Sequence, residues 1–409
     1  MYHIFMNPLP RNFLFGSATA AHQVEGGNYN DWTVWEQANA ERLAREVSQS
    51  TNYGQGATPV WDEIKTAAQD PANYISGRAA GHFERYQKDI QAAKELGLNA
   101  SRFSVEWARV EPEPGHYDAA AIEHYVDMAR ACREFGQEPF VTLWHFTLPV
   151  WAADEGGWAS AVVVRQFAAY ARQMGEALGP YVTHIATLNE PEVYAVMAHL
   201  RGTWPPGRHS PSGFARVRRG LVEAHMGAYT ALKAVRPEFE VGFCTSQTLF
   251  EATYKLLEVA NDYFVKRLAS RSDWLGVQFY LKRSLGRRKR AHKSDMGWEL
   301  HPEGHGEVLR RLAGYGKPMY VTESGLADAA DKHRAWYIGE SLQAVAEAVA
   351  VGVDCRGYFY WSLLDNFEWH EGFWPKFGLL EVDRTTLERR IRPSAWHYAQ
   401  LIAAYQSGK

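Results

Sequence analysis

Two glutamates stand in segments that could carry paired acid–base chemistry: Glu190 in Thr187-Leu188-Asn189-Glu190-Pro191, and Glu323 in Tyr320-Val321-Thr322-Glu323-Ser324-Gly325. Each closes a short run of strand character, so each is expected where a strand ends. Two carboxyls held about 5–5.5 Å apart let one act as nucleophile and the other as acid and then base, the arrangement that hydrolyses glycosidic bonds with retention. A single such glutamate could equally serve only as the partner of a core arginine. Two of them, with Asn189 and Tyr280 beside them at strand ends, favour the chemical reading. Further residues fall at the same phase: Gln23, Glu25, Arg102, Glu106, His145, Gln278, Trp361, Glu368 and Trp369. They are expected to converge on one rim.

Convergence of that kind requires elements whose ends point the same way. Eight runs have strand character: Phe13–Ala18, Ser101–Trp107, Pro139–His145, His184–Asn189, Val241–Ser246, Trp274–Tyr280, Pro318–Glu323 and Cys355–Leu363. Between them lie segments of helical spacing, at Phe83–Leu96, Ala119–Phe135, Ala161–Leu178, Gly220–Val235, Glu251–Leu268, Glu303–Leu312 and Lys332–Ala350, with a last one at Pro393–Tyr405. Several stop at a glycine ahead of the next strand, as at Gly97, Gly136 and Gly352. Alternating strands and helices imply right-handed crossovers and a parallel sheet, and eight units close into a (β/α)8 TIM barrel. The expectation is an α/β fold with one catalytic domain over residues 1–409, carrying loop excursions at its C-terminal face, the longest over roughly 21–80. An open doubly wound sheet is disfavoured because Gly16-Ser17-Ala18-Thr19-Ala20, and no G-x-G-x-x-G, follows the first strand.

Composition narrows the partners. The 409 residues carry Lys+Arg 44 against Asp+Glu 47, a net charge of -3, which gives no drive toward nucleic acid or an anionic membrane. Aromatics at 13% exclude a disordered chain, and surplus aromatics line carbohydrate clefts as well as cores. Cys132, Cys244 and Cys355 are odd in number and far apart, unlike a disulfide framework or a structural zinc site. Residues 1–10 lack the basic and apolar segments of a signal peptide, and no run approaches ~18 apolar residues. These features lead to an expectation of a soluble cytoplasmic protein with a small-molecule substrate and no cofactor or metal; a homo-oligomer is left open.

Six ordered blocks carry a resemblance. They are Phe13-Leu14-Phe15-Gly16-Ser17-Ala18-Thr19-Ala20-Ala21-His22-Gln23-Val24-Glu25-Gly26, Arg102-Phe103-Ser104-Val105-Glu106-Trp107-Ala108-Arg109, Trp144-His145-Phe146-Thr147-Leu148-Pro149, Leu188-Asn189-Glu190-Pro191, Val321-Thr322-Glu323-Ser324-Gly325 and Trp361-Ser362-Leu363-Leu364-Asp365-Asn366-Phe367-Glu368-Trp369. From its first strand to its last the chain resembles glycoside hydrolase family 1, the β-glucosidase and β-galactosidase family. The resemblance implies Glu190 as general acid/base and Glu323 as nucleophile, with Tyr280 and Arg102 holding the nucleophile. It implies Asn189 on the sugar 2-hydroxyl, Gln23, His145, Glu368 and Trp369 on other hydroxyls, Trp361 beneath the ring and Phe377 at one wall. The implied activity is that of a retaining exo-β-glycosidase on terminal glucosides, galactosides or fucosides.

The alternatives are a 6-phospho-β-glycosidase and a non-catalytic carbohydrate-binding barrel. Members that take 6-phospho sugars resemble one another in having serine where this chain has Glu368, and both catalytic carboxylates are present. Departures from the family pattern are Gln278-Phe279-Tyr280 for Asn-Tyr-Tyr or Asn-Phe-Tyr, Ser324 for asparagine, and Phe146-Thr147 for Trp-Asp. The chain is also shorter around strands five and six, which suggests a more open aglycone side.

Three other features have plainer readings. His301-Pro302-Glu303-Gly304-His305 has proline where a zincin helix needs its glutamate. Asn99-Ala100-Ser101 is a formal sequon entering a strand and is expected to be unmodified. The basic run at 282–293 is open to three readings: a solvated loop, an aid to anionic aglycones, or a nucleic-acid patch.

Overall fold

Strands apolar at nearly every position are stable only when both faces are covered, which is the situation inside a ring of helices. The computed structural model describes residues 9–50, 57–250, 261–283 and 292–407. Eight parallel strands close a barrel: β1 (Leu14–Ala18), β2 (Ala100–Ser104), β3 (Glu138–Trp144), β4 (His184–Asn189), β5 (Glu240–Ser246), β6 (Trp274–Gln278), β7 (Met319–Glu323) and β8 (Cys355–Trp361). They pair in sequence order, and β1 bonds to both β2 and β8. The residues of β2, β6 and β7 are all buried. Inside the barrel, Phe140 packs against Tyr320 at 5.0 Å and Phe359 at 4.9 Å between ring centroids, beside Ala18, Ala100 and Ala186. Large rings opposite small residues fill the lumen below its mouth.

Among the described residues the barrel helices are α1 (His82–Glu95), α2 (Ala119–Glu134), α3 (Ala161–Leu178), α4 (Pro211–Val235), α5 (Tyr263–Leu268), α6 (Gly304–Leu312), α7 (Arg334–Ala350) and α8 (Pro393–Ser407). Side-chain oxygens of Asp118, Ser160 and Ser210 cap α2, α3 and α4. Gly97 and Gly136, at φ +78° and +73°, end α1 and α2 in the left-handed turn that costs glycine least. After Gly136 the chain bonds back from Gln137 N–H to the Cys132 carbonyl at 2.7 Å and runs straight into β3.

Some boundaries differ from the sequence expectation. Strand β2 stops at Ser104, because Glu106 caps a short helix at Trp107–Val110. Strand β6 stops at Gln278, leaving Tyr280 on the loop. Helix α4 starts nine residues before Gly220, at Pro211, and a helix at Pro191–His199 precedes it. The excursion between β1 and α1 contains a helix at Asp31–Glu46, capped reciprocally by Asn30 and Thr33, and another at Trp61–Ala68. Trp32 of the first is fully buried and packs on Trp369 and Trp204, so the excursion builds the wall behind the barrel mouth. Residues 251–260 of the expected fifth helix lie outside the described residues.

At Gly220, α4 passes directly against the backbone of Trp158. A Cβ on Gly220 would stand 1.7 Å from the Trp158 carbonyl oxygen. Gly220→Ala gains roughly 1 kcal/mol of helix propensity but forces backbone apart at a cost of about 1–3 kcal/mol. The expected outcome is a lower urea midpoint at unchanged slope; an equal or higher midpoint would show that the two layers separate freely.

Candidate active site

The C-terminal ends of the strands open on a cavity of about 240 Å³. Gln23, His145, Glu190, Tyr280, Glu323, Trp361, Glu368, Trp369 and Phe377 all line it. Of the residues expected at the site, Arg102 and Asn189 do not reach its wall but stand directly behind it, both almost fully buried.

Arg102 organises that second layer. Its Nη1 donates to Glu323 Oε1 at 2.6 Å and to the Thr322 carbonyl at 3.2 Å, its Nη2 to Asn189 Oδ1 at 2.6 Å, and its Nε to Thr142 Oγ1 at 3.1 Å. Tyr280 donates its hydroxyl to the other oxygen of the same carboxyl, Glu323 Oε2, at 2.8 Å. Gln278 Nε2 donates to Asn189 Oδ1 at 2.9 Å, and Asn189 Nδ2 donates to His145 Nε2 at 3.0 Å. Because His145 Nε2 accepts, its proton belongs on Nδ1. Burial, and secondarily Arg102, holds this imidazole well below its usual range and therefore neutral.

The two carboxyls share burial but not neighbours. Burial raises Glu323 above the usual carboxylate range, while Arg102, Tyr280 and Gln278 pull it back toward ionisation. Glu190 is pushed well above that range, by burial first, then by the negative charges of Glu323 and Glu192. Its Oε1 is buried without a hydrogen-bond partner, and its backbone sits at φ +41°, between β4 and the helix at Pro191–His199. A left-handed glutamate is unusual, and here it turns the side chain from the barrel wall into the cavity. The pair therefore holds one proton preferentially on Glu190 and one negative charge on Glu323.

The far end of the cavity is arranged for hydroxyl groups. Gln23 Nε2 is bonded to Asn366 Oδ1, the Phe367 carbonyl and Glu368 Oε2, leaving its buried Oε1 free to accept. Glu368 is pushed well above its ordinary range, by burial and then by the neighbouring charges of Glu371 and Glu323. Trp369 is stacked on His22 at 5.6 Å, and Trp361 on His145 at 5.8 Å. Their faces are thereby fixed before any ligand arrives.

Other expected residues are elsewhere. Glu25 binds Arg109 and Tyr125, and Glu106 accepts from Thr147 at 3.0 and 3.1 Å, so neither joins the rim. His301 pairs with Glu303 and Glu307, whereas buried His305 bonds the Pro302 carbonyl, so the two histidines face different partners. Asn99 bonds the Phe15 N–H and the Phe13 carbonyl at the base of β1. Of the basic run, 284–291 lies outside the described residues; Lys282–Arg283 pairs with Leu249–Phe250. Sequence reasoning missed the cavity-lining residues Met296, Trp298, Trp204 and Glu371. Glu371 stands in the block Phe367-Glu368-Trp369-His370-Glu371 and could have been found there; Met296 and Trp298 lie in an irregular segment without periodicity.

The profile of glycosyl hydrolase family 1 matches residues 5–256 and 257–407. The chain belongs to glycosyl hydrolase family 1. It is thus a glycoside hydrolase of β-glycosidase type. It is 28% identical to beta-glucosidase A of Thermotoga maritima, over 96% of this chain and 97% of the relative. Among solved structures it is similar to a beta-glycosidase from Pyrococcus horikoshii, with a TM-score of 0.84, 32% identity and coverage of 98% of this chain and 96% of the other. It is similar also to beta-glucosidase from Thermotoga maritima in complex with deoxynojirimycin, with a TM-score of 0.82, 26% identity and coverage of 97% and 99%. Among the described residues no helix is long and apolar enough to cross a membrane.

The departures from the family 1 pattern have defined places. Gln278, one methylene longer than asparagine, reaches Asn189 and counts among the groups that favour ionised Glu323. Ser324 accepts from the Tyr358 hydroxyl at 2.9 Å, on the outer side of β7. Phe146 is a cavity wall packed on Trp204 and Trp369, and Thr147 bonds Glu106 instead of the cavity.

If Glu323 raises its neighbour through charge, Glu323→Gln must move the Glu190 titration to lower pH, because loss of an adjacent anion favours the ionised acid. Isotope-edited infrared spectroscopy of the glutamate carboxyl band reads that shift directly. An unmoved titration would assign the whole effect to burial.

Proposed function

We propose that the protein is a retaining exo-β-glycosidase that releases a terminal, unphosphorylated β-linked glucosyl, galactosyl or fucosyl unit. The observation that carries this reading is the asymmetric pair in one cavity: Glu323 held by Arg102 and Tyr280, and Glu190 unpartnered at Oε1. In the first step the Glu323 carboxylate forms an ester bond to C1 while the C1–O bond to the aglycone breaks, and Glu190 gives its proton to the departing oxygen. In the second, Glu190 takes a proton from water, the water oxygen bonds to C1, and the ester to Glu323 breaks. Two inversions give net retention.

The remaining residues bind. Asn189, one layer behind the wall, uses one amide hydrogen on His145 and is assigned to hold that residue for the sugar. Gln23, His145, Glu368 and Trp369 are assigned to the other hydroxyls, Trp361 to the underside of the ring and Phe377 to a wall. Burial of an aromatic face with a few fixed polar groups is how a neutral polyol is bound. A 6-phosphate carrying a charge of about −2 would lie beside Glu368 and Glu371, where the charge of Glu371 already disfavours a second anion on Glu368, and a phosphate is disfavoured there for the same reason. A small-molecule glycoside is supported by the deoxynojirimycin complex of the Thermotoga maritima enzyme. Three buried free cysteines support a cytoplasmic location.

The test combines stereochemistry with chemical rescue. Proton NMR of early product should show the β-anomer. Glu323→Ala should lose activity about a thousandfold or more and, with azide, yield an α-glycosyl azide from attack on the vacated face. Glu190→Ala with azide should yield the β-azide. Early α-product would overturn the mechanism, and exchanged azide products would reverse the two roles.

A further inference from the structure

Two residues beyond Glu190 stands another acid that neither the cavity wall nor the two-step reaction uses. Glu192 lies in the first turn of the helix at Pro191–His199. Its Oε1 accepts from the Thr245 hydroxyl at 2.9 Å and from the Ser246 backbone N–H, while its Oε2 is buried with no partner. Among the described residues no ion pair joins it.

The backbone explains why a carboxyl is needed there. The ladder between β4 and β5 ends at Asn189 opposite Cys244, and the last main-chain bond runs from Glu190 N–H to the Cys244 carbonyl at 2.9 Å. Beyond it the end of β5 has no strand partner on the β4 side. An unpaired buried N–H costs about 1–3 kcal/mol. Glu192 supplies the missing acceptor. Ser246 in turn lines the same cavity as Glu190 and counts among the groups that favour an ionised Glu190. A second chain of bonds steadies the same point from α6: Arg311 donates to Gln247 Oε1, and Gln247 Nε2 to Thr245 Oγ1 at 2.9 Å.

We propose that Glu192 is a positioning residue for the acid/base: it holds the end of β5 so that Ser246 orients the otherwise unsupported carboxyl of Glu190 toward the glycosidic oxygen. This role rests on the reading of Glu190 as acid/base. Burial pushes Glu192 up to about 8, so at neutral pH it is mainly uncharged, and it raises Glu190 by its charge only to the extent that it is ionised. Its two oxygens then differ as those of a protonated acid do, one accepting and one bearing the proton, a pattern that glutamine reproduces.

Misplacing a proton donor matters only where the leaving group needs a proton. For Glu192→Ala, kcat/KM should fall about 10- to 100-fold on phenyl and alkyl glycosides and under about 3-fold on the 2,4-dinitrophenyl glycoside. Glu192→Gln should recover most of the loss, and Ser246→Ala should show the same dependence on leaving group. Should Glu192→Ala fail to fold, Ser246→Ala and Thr245→Val carry the comparison. An equal loss on all leaving groups, or no loss on the poor ones, overturns the proposal. Glu190→Ala measured beside them separates the two readings. If it discriminates steeply while Glu192 and Ser246 variants do not, only the positioning role falls; if it does not discriminate, the assignment of Glu190 falls and the positioning role falls with it.

Discussion

Everything at the barrel mouth depends on one buried cation. Arg102, 2% exposed at the third position of β2, binds groups on β3, β4 and β7, and so ties half the barrel together at the level of the site. A guanidinium out of water costs several kcal/mol unless an anion and further acceptors surround it. Glu323 is that anion, and Thr142, Thr322 and Asn189 provide the acceptors. The constraint runs both ways. The arginine needs an ionised Glu323, and an ionised Glu323 adds to burial in raising the proton affinity of Glu190.

The same burial thus produces two chemically different glutamates. Glu192 apart, the difference lies outside the two sequence neighbourhoods, because it comes from burial and from which charges lie across the lumen. Glu323 has a cation and the Tyr280 hydroxyl; Glu190 has two carboxyls near it and a free oxygen. Depth alone would leave both acids neutral, and the Arg102 contact removes the proton from only one. The aromatic residues contribute by rigidity. Trp361 and Trp369 are already stacked on histidines, so a ring entering the cavity meets surfaces that need not reorganise.

Much of this was legible in the sequence. Strand β4 ends where its apolar run ends, at the Asn189-Glu190-Pro191 turn, and α3 begins and ends where its serine cap and apolar periodicity place it. Strand ends could be read because a parallel barrel sends each of them to the same face. What escaped had tertiary causes. Glu25 and Glu106 occupy strand-end positions like those of the site residues, yet Arg109, Tyr125 and Thr147 draw them into a separate buried cluster. The helix at Pro191–His199 is short and its start is the left-handed Glu190, which no propensity favours. Asn189 was expected at the cavity wall but stands one layer back, bonded to Arg102, Gln278 and His145. Met296 and Trp298 reach the cavity from an irregular stretch that has no period to read.

The central claim is that Glu323 is the group that becomes covalently bonded to the sugar. A 2-deoxy-2-fluoro-β-glucosyl fluoride slows release of the intermediate more than its formation, so brief incubation, peptic digestion and tandem mass spectrometry can locate the bond. The expected result is a single fluoroglycosyl ester on the peptide containing Thr322-Glu323-Ser324, with none on Glu190, Glu192 or Glu368. An ester on any of those other carboxyls, or full inactivation without an adduct at Glu323, would contradict the account.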